Sequence, residues 1–422
     1  MEIQPSFKIE IKYMKKIAVI GAGIVGVCIS HFLQKNNNQV YLYDQHEPGT
    51  QTSYGNAGIF ANHDCVFANS PNIWRDLPSL LIKKDGYVSL DWMYIIKNFP
   101  WMLKFLKNCS YSNVDYIAKS LSNFSYHAES AYNEIFSDIN VDEIVVRKDS
   151  LYLYETINDY KNGQYMNGLR KKNNIPFAYI DKKEIKKLEP SLAPVYYNGV
   201  LFKEESFTRS SLKITQKIFE NFINKGGKFS KQKIKSIYKK DNRLFLSYDN
   251  NELNFDKIVV ACGVWSNDLA KTIKDSFPLD TERGYHILFE GKKDLISRPV
   301  GWAKLGFYIT PMEDGIRAAG SVEIAGINKP MNQYRLSLIE KAARKILPQL
   351  GKIKKKWMGF RPTLPDSLPV IGESKKCKDV YYAFGHQHLG LSLGAVTGKT
   401  ILSLIEDKKI NINIEPFNPY RF

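Results

Sequence analysis

Apolar residues along this chain fall into short blocks whose period changes from one to the next. The first block, Ile17-Ala-Val-Ile20, is bounded by Lys15-Lys16 and by Gly21; a continuous apolar run of that length reads as a strand buried on both faces. A largely apolar helix follows to Leu33, and Val40-Tyr-Leu-Tyr43 is a second strand ending in Asp44. Further on, residues 151–154 and 199–202 alternate and predict strands of a second, antiparallel sheet. Residues 212–222 carry a helical period, stopped by Gly226-Gly227. Strands are predicted at 233–237, 244–248 and 257–261, the last ending at a glycine turn that returns the chain to its first domain. Residues 285–289, 307–310 and 316–321 resume the second sheet, with Asp314-Gly315 as a hairpin turn. A final strand, 380–384, enters Gly385-His-Gln-His-Leu-Gly390 and a small-residue helix toward Leu404.

These elements predict an α/β chain in which a Rossmann-like nucleotide domain is interleaved with an antiparallel-sheet, α+β substrate domain. The expected bounds are 14–70, 200–270 and 355–422 for the first and 71–199 and 271–354 for the second. Residues 1–13 precede a second methionine, Met14, and read as a flexible extension. Between 71 and 126 the sequence is aromatic and amphipathic, with Pro100 expected to break the helical pattern. Lysines interleaved with Trp92, Trp101 and Phe105 suit either a domain contact or a lipid interface.

The turn between first strand and helix carries the chemistry. In Gly21-Ala-Gly23-Ile-Val-Gly26, Gly21 permits a tight turn, Gly23 clears the side chain that would block a pyrophosphate, and Gly26 lets helix and strand pack closely. Asp44 can accept ribose hydroxyls, which favours FAD or NAD over a 2′-phosphorylated cofactor. The small-residue loop Thr52-Ser-Tyr-Gly-Asn-Ala-Gly58 offers further amide and hydroxyl groups to a cofactor.

Composition narrows the alternatives. The five cysteines, an odd number without CxxC pairs, exclude a complete disulfide framework and suit a reducing, cytoplasmic compartment. Seven dispersed histidines without ligand spacing point to no metal. No uninterrupted apolar stretch reaches the length of a membrane span, although peripheral contact with the inner face of the cell membrane stays open. The net charge of +17 is spread along the whole length without an arginine-rich stripe, so nucleic acid is not an expected partner; a basic membrane-surface or RNA-binding protein is the reading from outside enzymology.

Five motifs in order, Gly21 to Gly26 with Asp44, the loop at 52–58, Ala261-Cys-Gly-Val-Trp-Ser266, Gly359-Phe-Arg-Pro362 with Pro365-Asp366, and Gly385 to Gly390, resemble those of the D-amino-acid oxidase family of flavoproteins, and within it the bacterial D-amino-acid dehydrogenases. The resemblance spans residues 16–407. It implies FAD, with Asp44 on the adenosine ribose, Ser53, Asn56, Ala57 and Gly58 near the pyrophosphate and flavin, Gly263 and Trp265 in the cofactor cleft, Gly385 to Leu389 along the isoalloxazine ring and Gly390 closing that end. Covalently flavinylated relatives such as monomeric sarcosine oxidase have a cysteine where this chain has Gly359, so the flavin is expected to be noncovalent. The resemblance also makes Arg361 the partner of a substrate carboxylate and Tyr308 a second donor to it. A guanidinium matches that role, since it presents two parallel donors to two oxygens. Glu323, His286, His386 and His388 are weaker candidates.

The implied reaction is oxidative deamination of a D-amino acid, or a related amino or imino acid, with electrons passed to a quinone or another carrier. An oxygen-using glycine, sarcosine or D-amino-acid oxidase and a hydroxyproline dehydrogenase are alternatives. An NAD-dependent dehydrogenase shares the first fingerprint but leaves Ser53 and the Gly385 segment unexplained.

Overall fold

The computed structural model describes residues 14–65, 69–73, 86, 88–291 and 294–422. The expected extension at 1–13 lies outside them. Six strands form one sheet in the order Lys228–Lys231, Gln39–Asp44, Lys16–Ile20, Lys257–Val260, Val380–Phe384, Val370–Glu373. The first five run parallel and the sixth closes the edge as an antiparallel hairpin.

Alternation along Lys16–Ile20 explains its apolar run. Ile17 and Val19 enter the core shared with helices Ile24–Lys35, Ser211–Asn224 and Gly390–Ile405, while Ala18 and Ile20 enter the core on the opposite face. That second face is covered by a three-stranded meander, Ser236–Lys240, Arg243–Tyr248 and Asn251–Phe255, through Ile237, Leu244 and Leu246. A parallel sheet covered on both sides needs apolar residues at every position.

The second sheet runs Ile353–Thr363, Asp280–Phe289, Gly315–Ile324, Phe307–Met312, Val300–Trp302, Ser150–Tyr154, Asn198–Phe202, Phe177–Ile180, with Val88–Leu90 added beside Gly315–Ile324. Tyr285, Ile287, Phe289, Ile316 and Ala318 turn to one face and pack on Leu336, Ile339, Ala343 and Ile346 of helix Gln333–Ile346. Glu282, Gly284, Ala319 and Tyr308 turn to the other face, toward the nucleotide domain. The alternation that makes these strands therefore also decides which residues can meet a ligand.

Several boundaries differ from expectation. Strands Asn198–Phe202 and Ile353–Thr363 both pair within the second sheet, so divisions at 200 and 355 cut through strands. Helices Tyr111–Ser125 and Ala128–Phe136 bury Ile117, Leu121, Phe124, Tyr132 and Ile135 against the nucleotide-domain helices rather than the second sheet, which is mixed rather than purely antiparallel, with parallel pairs Val300–Trp302 beside Ser150–Tyr154 and Val88–Leu90 beside Gly315–Ile324. These helices cover the outer face of Gly390–Ile405, whose Gly398 lies so close to helix Ile24–Lys35 that a Cβ there would sit 2.9 Å from the Cys28 backbone. Pairing around 233–237 starts only at Ser236; Lys233, Ile234 and Lys235 instead reach the cavity wall. Around Pro100 the helix is interrupted, as expected. Trp92–Lys97 ends at Asn98, and Phe99–Lys107 starts with Pro100 in its first turn, where a missing N–H is tolerated. Among the described residues no helix is long and apolar enough to cross a membrane.

Glu323 belongs to the frame. Its carboxylate accepts from Arg283 Nη1 at 2.9 Å, from Asn332 Nδ2 at 2.6 Å and from the Tyr285 hydroxyl, and Arg283 also donates to the carbonyls of Lys329 and Pro330. Arg283 is 1% and Glu323 5% exposed. Arg283→Met is expected to leave that charge uncompensated and to lower the unfolding free energy by about 3–5 kcal/mol; a urea titration showing a loss below about 1 kcal/mol would mean the pair is not a buried support.

Candidate active site

The glycine turn is built as its residue types require. Gly21 has φ +110°, and a Cβ on it would lie 2.4 Å from the Ala261 carbonyl oxygen; one on Gly26 would lie 1.8 Å from the Gly21 oxygen. Gly23 is the N-cap of Ile24–Lys35, whose first turn carries no acid. The helix thus presents its positive end to the cleft. The Asp44 carboxylate accepts from Ala22 N at 2.7 Å and His46 N at 2.9 Å, which fixes it at the cavity mouth.

Residues 52–58 are strapped to both sheets. Ser53 Oγ accepts from Ile24 N at 3.0 Å, at the helix N-terminus. Asn56 accepts from Gly58 N and from Ser211 Oγ, and donates to the Ser53 carbonyl. From the second sheet, Arg317 donates to the carbonyls of Tyr54 and Asn56 at 3.0 and 2.9 Å. Thr52 donates to the Phe360 carbonyl at 3.0 Å. Loop position is thereby tied to the strand that carries Arg361.

Between the two sheets lies a cavity of about 1090 Å³, at the top of the range usual for small-molecule sites, about 300–1,000 Å³. Of the residues singled out from sequence, Gly21, Gly23, Asp44, Ser53, Asn56, Ala57, Gly263, Trp265, Gly390, Tyr308 and Arg361 line it. Gly26, Gly58, Gly385 and Leu389 stand behind its wall. A Cβ on Gly58 (φ +76°) would lie 2.6 Å from the Thr208 oxygen, and one on Gly385 (φ +84°) 2.5 Å from Leu364 Cδ1. Leu389 is buried as the N-cap of Gly390–Ile405. Between them His386, Gln387 and His388 do reach the cavity.

The residues present fit FAD. Both amide atoms of buried Gln387 lack a partner among the described residues, in a cavity wall where a flavin ring edge alternating carbonyl and N–H groups is the complement. At the other end the glycine turn, the helix N-terminus and Asp44 suit a pyrophosphate and a ribose. Gly359 lines the cavity without a nucleophile.

At the far end, Arg361 stands opposite Glu282 in register and Gly284 lets it lie flat: a Cβ on Gly284 would touch its guanidinium at 2.5 Å. Its Nη1 donates to the Ser321 carbonyl at 2.9 Å, its one hydrogen bond among the described residues. Burial disfavours the charge on Arg361 and raises the pKa of Glu282, and their mutual attraction outweighs neither effect. The other cavity-lining arginine, Arg170, is committed to the His63 carbonyl, to Asn167 Oδ1 and, at 3.9 Å, to Asp64. Arg361 is left with donors to spare in a site that lacks full countercharge.

Tyr308 faces the same cavity, and burial pushes its phenol well above the ordinary range, so it keeps its proton. Its hydroxyl lies 2.9 Å from His63 Nε2. Asp64 approaches His63 and His388, each at 3.5 Å; burial alone would raise its pKa, but these groups and Arg170 hold the carboxyl well below its usual range. Burial brings the imidazoles of His286 and His386 down to about 3, so both are neutral. His286 binds the Gly55 carbonyl and stacks on Trp357, and His386 meets Thr397 Oγ1 at 2.9 Å. His63, Asp64, Arg170, Glu205, Glu282 and Arg317 escaped sequence reasoning, whereas Gln387 fell within the Gly385 to Leu389 run expected along the flavin ring. Only the polar triplet Asn62-His-Asp64 inside an otherwise apolar stretch hinted at any of them.

The family model for DAO, described as FAD dependent oxidoreductase, matches residues 16–404. The chain belongs to the DAO family of FAD-dependent oxidoreductases. It is 30% identical over 418 residues to a protein named D-amino-acid oxidase from Bradyrhizobium diazoefficiens, covering 97% of this chain and 99% of that one. It is 23% identical over 398 residues to a D-amino acid dehydrogenase of Helicobacter pylori, covering 93% and 95%. In fold it is similar to glycine oxidase from Geobacillus kaustophilus, with a TM-score of 0.75 at 17% identity, covering 97% and 100% of the two chains. This DAO-family enzyme uses FAD, and the α/β fold expected from sequence is the one observed.

Asp44→Ala is expected to purify with well under half the FAD content of the wild type, measured by absorbance against protein after acid precipitation; full occupancy would remove Asp44 from the ribose site.

Proposed function

We propose that this enzyme carries out oxidative deamination of a D-amino acid, with Arg361 and Tyr308 holding the substrate carboxylate and the flavin held noncovalently. The observation that carries this reading is Arg361: half-buried, short of countercharge, and with donors unspent toward a cavity that also contains the FAD fingerprint. A substrate carboxylate supplies the missing charge and accepts two parallel N–H groups, which sets orientation as well as affinity. Tyr308 adds a neutral donor, and Gly284 keeps the space above the guanidinium clear.

Bound FAD supplies a two-electron acceptor for the hydride on the substrate Cα. The protein contributes position, by presenting one face of Cα to the cofactor side of the cavity. The overall reaction converts R–CH(NH₃⁺)–COO⁻, an acceptor and water into R–CO–COO⁻, NH₄⁺ and the reduced acceptor; the imino acid formed first is hydrolysed by water. An amine delivered neutral needs no strong protein base.

A quinone or another carrier is the proposed electron acceptor, in line with the relative named D-amino acid dehydrogenase. The relative named D-amino-acid oxidase favours oxygen as the second reading. A carrier in the membrane fits one surface feature. Trp92, Met93, Ile96, Phe99 and Leu103, each at least 50% exposed, accompany Lys97, Lys104 and Lys107 on two consecutive short helices, a combination suited to an anionic lipid interface on a cytoplasmic face.

An anaerobic absorbance titration with D-amino acids, L-amino acids, glycine, sarcosine and hydroxyprolines is expected to bleach the flavin with one or more D-amino acids. Bleaching by L-amino acids alone would overturn the proposed handedness, and stirring the reduced enzyme with oxygen or a soluble quinone identifies the acceptor. Arg361→Ala should lose about two decades or more in kcat/KM, mostly through KM, since charge-assisted hydrogen bonds contribute about 1.5–3 kcal/mol each; a near-normal KM would remove Arg361 from the clamp. Met93→Glu with Ile96→Glu should abolish co-sedimentation with anionic vesicles, and equal recovery of wild type and variant in the supernatant would exclude the lipid contact.

A further inference from the structure

Glu205, His63 and Tyr308 form a buried chain that ends in the substrate cavity. His63 Nδ1 faces Glu205 Oε1 at 2.5 Å, and its Nε2 faces the Tyr308 hydroxyl at 2.9 Å. Phe202 stacks on the imidazole with ring centroids 3.9 Å apart and planes 7° from parallel. The ring therefore has one orientation. A carboxylate at Nδ1 keeps a hydrogen on that nitrogen, which leaves Nε2 to follow the charge state. When His63 is neutral, Nε2 is a bare acceptor and the phenol proton of Tyr308 points to it. When His63 is charged, Nε2–H donates to the phenol oxygen, and the Tyr308 proton is free to point into the cavity.

We propose that His63, oriented by Glu205, sets the direction of the Tyr308 hydroxyl, so that the enzyme grips a carboxylate ligand while this imidazole is charged and loosens its grip when the imidazole is neutral. The inference rests on the reading of Arg361 and Tyr308 as a carboxylate clamp. His63 is a positioning residue, acting through Tyr308.

The surroundings favour a charged ring. Burial opposes it, but Glu205 and Asp64 outweigh burial and raise the His63 pKa, with Arg170 acting against them. His388 reaches this group through Asp64, and Tyr308 stays neutral. Because a raised pKa means protonation persists to higher pH, the tight state lies below that pKa and affinity falls as pH rises through it. Glu205, whose Oε2 has no partner among the described residues, also lines a second cleft of about 1070 Å³ with Asn62, Ser206 and Ser392.

Pyruvate, a carboxylate without an amine, is the probe, and its dissociation constant is read from the flavin difference spectrum of the FAD-loaded enzyme as a function of pH. The constant should rise by about tenfold through one ionisation, and ¹⁵N-histidine NMR should give His63 the same pKa. Glu205→Gln should move the inflection to lower pH. Tyr308→Phe should bind weakly at every pH, with no inflection. A pH-independent constant in the wild type, or an inflection that survives Tyr308→Phe, overturns the switch while the clamp stands. Absence of any pyruvate perturbation at any pH overturns the clamp, and the switch with it.

Discussion

A half-buried guanidinium at the seam between two sheets, with too little negative charge around it, is the constraint on which the proposed functional geometry depends. Isolated charges are costly to remove from water, and a protein keeps one in place only with partners or with a ligand that completes them. Arg361 has Glu282 across the strand and the Ser321 carbonyl at one nitrogen. The remaining donors are those that the proposed substrate carboxylate would take. The fold ties Arg361 to the loop at 52–58, because the same strand carries Phe360, whose carbonyl holds Thr52 at the start of that loop.

That coupling explains why the two sheets are interleaved rather than sequential. Residues 52–58 leave the nucleotide sheet, take hydrogen bonds from Arg317 in the second sheet, and place Ser53 on the helix N-terminus. Neither sheet alone could fix the loop. A displacement of either would move the loop at 52–58 and Arg361 relative to each other, and orientation of reacting groups is where positioning gives most of its rate advantage. The buried Arg283–Glu323 network holds the second sheet's strands in register beside the site.

The chain displayed its nucleotide domain openly because local rules govern it. Strand, glycine turn, helix, strand and acid are contiguous from Lys16 to Asp44, and Gly21 and Gly26 are where backbone approaches too closely for any side chain. Arg361 and Tyr308 were legible only through the family resemblance. The pairing of His63 with Glu205 was not legible: they lie 142 residues apart, and nothing local in either segment encodes their meeting. The 200 and 355 boundaries misplaced strands for a related reason, since strand assignment to a sheet depends on long-range pairing rather than on alternation. Gly385 and Leu389 bordered the expected flavin site in sequence, yet the positive φ of Gly385 and the burial of Leu389 serve the turn that lets Gln387 reach the cavity.

The most direct test of the carboxylate clamp is a crystal structure of the FAD-loaded enzyme with pyruvate bound. The ligand carboxylate is expected to sit in a two-point contact with the Arg361 guanidinium, beside the Tyr308 hydroxyl and against the flavin ring. Pyruvate bound through another cation, with Arg361 closed onto Glu282, would contradict the clamp.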